Sequence, residues 1–123
     1  MDKYGRDEVF YLIADGREKE ALAKISQLNN VNISDKDGYS YLHIAVQSGL
    51  LSVVKLLLEK GANIEIVDKY GKTPLCVAIA IYDMNTENRV MIDYLLEKGA
   101  NLDHMVNSGV SCRKIALMKG LKL

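Results

Sequence analysis

Apolar residues recur along this chain in paired short blocks at helical spacing, with a glycine standing between the blocks of a pair. Leu42, Ala45 and Val46 form one stripe, Gly49 interrupts it, and Val53, Val54, Leu56, Leu57 and Leu58 form the next. This stretch therefore predicts two amphipathic helices joined by a tight turn. The same alternation lies upstream, with Val9, Phe10, Leu12 and Ile13 before Gly16 and Ala21, Leu22, Ile25 and Leu28 after it. The pairs are copies in register: Gly5, Gly38 and Gly71 are spaced by 33 residues, and Gly16 and Gly49 keep that interval. A fixed period that joins a turn to two helical stripes marks stacked repeats, each burying its apolar face on the next. The chain divides into units at 2–34, 35–67, 68–105 and 106–123, the last incomplete.

The text of the copies is more specific than their period. "DKYG" at Asp2, "DKDG" at Asp35 and "DKYG" at Asp68 open the units, and "LLLEKGANIEIV" and "YLLEKGANLDHM" close the second and third. The segments "KTPLCVA" and "YSYLHIA" resemble the "TPLHxA" signature of ankyrin repeats, and "LLLEKGANIE" resembles that family's second helix and exit loop. The whole is similar to the small stand-alone ankyrin repeat proteins found in bacteria. The resemblance implies an all-α solenoid of helix–turn–helix units forming one domain over 1–123, with two full central repeats, a degenerate N-terminal cap repeat and a C-terminal half repeat. It also implies that His43 bonds to the backbone of a turn and ties successive units, a structural role preferred here to a catalytic or metal-binding one.

Within the units, Asp7, Ser40 and Thr73 stand where an N-cap accepts backbone N–H bonds, and Pro74 takes the first helical position, where a missing N–H costs nothing. Gly61 follows the last turn of its helix as a left-handed C-cap, with Lys60 beside it complementing the dipole. The third unit is five residues too long, and the surplus falls in "YDMNTENR" at 82–89, a polar stretch without the usual turn glycine. It reads equally as an extension of the unit's first helix or as a binding loop. In the last unit Arg113 and Lys114 replace the Leu-His pair. Ile115, Ala116 and Met118 are expected to face the preceding unit, and Leu117, Leu121 and Leu123 to be left exposed.

Composition narrows the chemistry. Sixteen basic residues balance sixteen acidic ones, so the long-range attraction to phosphate that marks nucleic-acid binders is missing. Arg113, Lys114, Lys119 and Lys122 bias the end of the chain, as a solvated face or an anion site. No apolar run approaches the ~18 residues of a membrane helix, and the first residues lack a signal-like core, which points to a cytoplasmic protein. Cys76 and Cys112 lack partners at metal-ligand spacing. They fall at adjacent positions of neighbouring units, close but not at bonding geometry, and are expected to be thiols. His104 lies in an exit loop with only Asp103 near it.

No nucleophile, base and orienting group converge in this pattern, and each glycine is explained by a turn or a helix end, so neither an enzyme nor a cofactor is expected. A repeat stack offers instead a rigid concave surface for another protein. By resemblance to ankyrin arrays, the positions free for contact surround the turns and the outer side of each first helix: Lys3, Tyr4 and Arg6; Lys36, Asp37, Tyr39, Gln47 and Ser48; Lys69, Tyr70, Lys72, Ala80 and Ile81. Tyr4, Tyr39 and Tyr70 stand on successive turns and are either hot-spot side chains or shields for neighbouring backbone. The expected partner is another protein. The chain then acts as an inhibitor or immunity protein covering a toxin or enzyme, as a generic adaptor, or as a self-associating structural protein, and is a monomer or weak oligomer.

Overall fold

Seven short helices follow one another in the computed structural model, which describes residues 2–123: α1 (Glu8–Ala14), α2 (Glu18–Ser26), α3 (Tyr41–Gln47), α4 (Leu51–Glu59), α5 (Pro74–Ala80), α6 (Thr86–Glu97) and α7 (Cys112–Met118). The first helices α1, α3, α5 and α7 pack in that order as one layer. Each of the first three also packs against its own second helix, and α2 packs on α4. Among the described residues no extended strand forms, only the isolated bridges Ser34–Ser40 and Met105–Ser111 across two turns.

Asp7, Ser40 and Thr73 cap where the polar pattern put them, and Ser111 adds a cap not named from sequence. Asp7 accepts from the amide of Phe10, Ser40 from that of His43, Thr73 from that of Cys76 and Ser111 from that of Lys114, each supplying an orphan donor with an acceptor. Between the layers lies one continuous apolar core. Ile13, Ile25, Ala45, Val53, Val54, Leu57, Leu75, Ile79, Ile92 and Leu95 have no exposed surface, and their burial supplies the main drive to fold.

Three expectations need correction. The surplus of the third unit extends neither α5 nor a single loop. Five residues join α5 to α6 where three join α3 to α4, and α6 has 12 residues against 9 in α4. Two of the extra residues thus lengthen the turn and three lengthen the second helix at its start. The reason is local: Asn85 accepts from the amides of Glu87 and Asn88 and begins the helix early.

At the end of the chain Leu121 is buried and Met118 is exposed, the reverse of what was expected. Gly120, at φ 73°, turns the chain back so that the Leu121 amide reaches the Ala116 carbonyl at 2.9 Å, which carries the leucine under α7. Leu117 and Leu123 are exposed as expected. Finally, Cys76 and Cys112 are disulfide-bonded rather than free. The stacking of α7 on α5 brings their Cα atoms to 5.3 Å, inside the range a disulfide spans.

Candidate protein-binding surface

The first three units each open on a turn built by one aspartate. Oδ1 of Asp2 accepts from the amides of Tyr4 and Arg6, Oδ1 of Asp35 from those of Asp37 and Tyr39, and Oδ1 of Asp68 from those of Tyr70 and Lys72, all at 2.9–3.0 Å. The turns then join edge to edge. The Lys36 amide donates to the Tyr4 carbonyl (2.8 Å), that of Lys69 to Asp37 (2.8 Å) and that of Asn107 to Tyr70 (2.9 Å). This ladder needs close backbone approach. A Cβ on Gly38 would stand 3.1 Å from the Asp68 Cα, and one on Gly71 would stand 2.9 Å from the Asn107 nitrogen, which is why both positions are glycine.

Histidines fasten the turns from behind. Nδ1 of the fully buried His43 accepts from the Ser40 amide at 3.0 Å, so Nε2 carries the proton and donates to the Lys72 carbonyl at 2.7 Å. The turn-binding role that resemblance implied for His43 is thus the observed one. Burial pushes its pKa down, against the pull of the Lys72 carbonyl. Cys76 occupies the same place in the third unit and makes no such bond. There His104 reaches back instead, its Nε2 lying 2.7 Å from the Gly71 carbonyl. Sequence reasoning passed over His104, because its offset from the turn it fastens is not that of His43.

A groove of about 360 Å³ runs along the joined turns and the exposed side of the first helices, lined by Arg6, Asp35, Asp37, Tyr39, Gln47, Asp68, Tyr70, Lys72, Val77, Ala80 and Ile81. It brings together eight of the thirteen contact residues named from sequence, Arg6, Asp37, Tyr39, Gln47, Tyr70, Lys72, Ala80 and Ile81. Lys3, Tyr4, Lys36, Ser48 and Lys69 lie outside it. The Tyr4 ring sits under Lys3 and Arg6, whose cationic groups are 5.1 and 5.0 Å from its centroid. Lys36 lays its stem beside Gly5. Lys69 pairs with Asp37 at 3.1 Å, and that bond, with a further one to Tyr70, raises its pKa. Asp35, Asp68 and Val77 were missed because a turn-building aspartate and a helix apolar position each have a sufficient local explanation.

The aromatic side chains of the groove differ in freedom. Tyr70 is 57% exposed, with the Lys69 and Lys72 amines 5.1 and 5.8 Å from its ring centroid. Tyr39 is held: its ring stacks on His43 at 4.8 Å and its hydroxyl donates to Gln47 at 2.6 Å. Burial, with the Asp68 and Asp35 carboxylates adding to it, pushes the Tyr39 phenol far up, so it stays neutral.

Residues 4–106 match the family model for ankyrin repeats in three copies. The chain belongs to the ankyrin repeat family. It is 32% identical over 127 aligned residues to the mouse B-cell lymphoma 3 protein homolog, covering 98% of this chain and 27% of that protein. It is 35% identical over 106 residues to the phosphocholine transferase AnkX of Legionella pneumophila, covering 85% of this chain and 10% of that one. A cowpox virus ankyrin repeat domain-containing protein is 37% identical over 81 residues, 66% of this chain and 12% of the viral protein. The ankyrin chain thus spans about a quarter or less of the length of these relatives. Ankyrin repeats generally mediate binding to other proteins, which is the function class of this chain.

The C-terminal cations are partly committed within the fold. Arg113 pairs with Asp103 at 2.7 Å, and Lys119 donates to the carbonyls of Ala80 and Tyr82 at the end of α5. Among the described residues no group of three or more His, Cys, Asp or Glu side chains is placed to hold a metal ion. No helix among them is long and apolar enough to cross a membrane.

Proposed function

We propose that this chain is a non-catalytic binding module whose concave face closes over the active or substrate-binding surface of another protein and inhibits it. The observation that carries this reading is the groove over three hydrogen-bonded turns, formed before any partner arrives. A preformed surface avoids the ordering cost that a flexible loop meets on binding. The state of its polar groups supports binding over catalysis. Asp35 is engaged by Arg6 and two turn amides, and both ring nitrogens of His43, which stacks behind the groove residue Tyr39, are occupied.

Immunity proteins that neutralise a toxin encoded beside them are one recurrent use of small bacterial ankyrin proteins, and that family-level analogy motivates the choice of target. Co-expression with the product of the adjacent gene is the test. Rescue of growth, with affinity near nanomolar (about −12 kcal/mol), supports inhibition, and Tyr70→Ala should weaken that binding by roughly 2 kcal/mol without unfolding the protein. A neighbour that is harmless, or equally toxic with this protein in excess, removes the inhibitor reading and leaves a micromolar adaptor. Self-association is favoured by a separate observation, the exposed Leu117, Met118 and Leu123 at the end of the stack. Light scattering that shows mass rising with concentration would support it.

A further inference from the structure

The turn aspartates Asp35 and Asp68 are structural copies, yet only one has both oxygens engaged. In Asp35, Oδ1 holds the turn and Oδ2 accepts from Nε of Arg6 at 3.2 Å, an ion pair reaching back from one unit to the one before. The guanidinium of Arg6 also lies over two aromatic rings, 5.0 Å from the centroid of Tyr4 and 5.1 Å from that of Phe10. One repeat further on, the residue in Arg6's place is Tyr39. Its hydroxyl is turned to Gln47, so it brings nothing to Asp68. Lys72, the next residue of the series, has its forward neighbour at Val106 rather than at an aspartate, and its amine lies over Tyr70.

Asp68 is therefore 8% exposed, with Oδ1 occupied by two amides and no hydrogen-bond or ionic partner for Oδ2 among the described residues. It lines the groove beside Tyr39, Tyr70, Val77 and Ile81. That oxygen stays open to the water of the groove, and a cation entering the groove gains a charge-assisted bond to it in exchange for that water. Of the other charges lining the groove, Asp35 is matched by Arg6 and Asp37 by Lys69, and the Lys72 amine is drawn over the Tyr70 ring.

Resting on the concave-face reading above, we propose that Asp68 is the receptor for an arginine side chain presented by the partner protein. The incoming guanidinium takes in the second unit the place that Arg6 takes in the first, with Oδ2 of Asp68 as its acceptor and the aromatic walls of the groove beside its plane. Arginine suits the site better than lysine because a planar, weakly hydrated fork can both pair with a carboxylate and stack on tyrosine.

The experiment is an amide-resolved NMR titration of the full chain with Nα-acetyl-arginine methylamide and, separately, with its neutral isostere Nα-acetyl-citrulline methylamide. Saturable shifts at the amides of Tyr70 and Lys72 are expected with the arginine probe, and binding at least about tenfold weaker with citrulline. Asp68→Asn keeps an oxygen for the turn amides and should lose the same factor. Tyr39→Arg is the second variant: it rebuilds the Arg6–Asp35 arrangement one unit on, so it should raise the melting temperature and abolish probe binding. Equal response to the two probes, shifts confined to other turns, or a Tyr39→Arg protein that binds the arginine probe as the parent does would each overturn the assignment. Such a result would leave the inhibitor reading to stand or fall on its co-expression test.

Discussion

A single imidazole joins the second unit to the third, and its protonation state is set by what surrounds it. His43 uses Nδ1 as an acceptor and Nε2–H as a donor, so only the neutral ring satisfies both partners. Its folded pKa lies below the ordinary value of about 6.5 because the ring is buried. The unfolded chain thus takes up a proton that the folded chain refuses, and stability falls as pH drops through about 6.5. The folded state keeps its full advantage above that value. Melting temperatures measured from pH 7.5 to 5.5 should decline in the parent, and His43→Ala should flatten that decline while losing about 1–2 kcal/mol at pH 7.5 for the vacated bonds. A variant that melts like the parent and retains the slope would show that another group titrates in this window.

Among the helices, α6 departs furthest from the repeat, and the departure has a visible cost. To enter its early start at Asn85 the chain puts Met84 at φ 70°, the one non-glycine residue with positive φ among those described. The side chain is 82% exposed and so gains little from packing. An L-residue with a side chain is disfavoured there by roughly 1–2 kcal/mol, part of which glycine would return as unfolded-chain entropy. Met84→Gly is accordingly expected to stabilise the protein by about 0.5–1 kcal/mol, read as a higher urea midpoint at unchanged slope. A lower midpoint would mean that the methionine makes contacts outweighing its backbone strain.

At the scale of the molecule, each unit touches only its neighbours, so the central one carries both ends. Leu57 lies in α4, between the layers, with no exposed surface. Truncating it to alanine removes buried methyl groups and leaves a cavity that the surrounding helices fill only in part, costing about 2–5 kcal/mol. Unfolding of Leu57→Ala followed by circular dichroism should show a large drop, with the amides of α2 and α6 losing hydrogen-exchange protection together. Loss confined to α4 would contradict a stack coupled through its centre.

What the sequence determined by itself is what neighbours along the chain decide. The period, the four N-caps Asp7, Ser40, Thr73 and Ser111, and the turn glycines are written in residues a few positions apart. Each has a local cause: an orphan amide needing an acceptor, or a left-handed turn needing no Cβ. Ser111 could have been read by the same rule, since it occupies the place of Ser40 and Thr73 in its unit. Tertiary structure decided whatever depends on how one unit sits on the next. The Cys76–Cys112 bond exists because α7 lies directly on α5, and, within the third unit, the His104 tie because the exit loop folds back behind that unit's own opening turn. Eight of the thirteen contact residues named from sequence share the groove, but its acceptor, Asp68, looked like another turn aspartate. Its free oxygen becomes apparent only when the Tyr39 hydroxyl is seen turned toward Gln47. Repeat text places residues within a unit, whereas partners across units follow from rotation, rise and rotamer, which only the packed array sets.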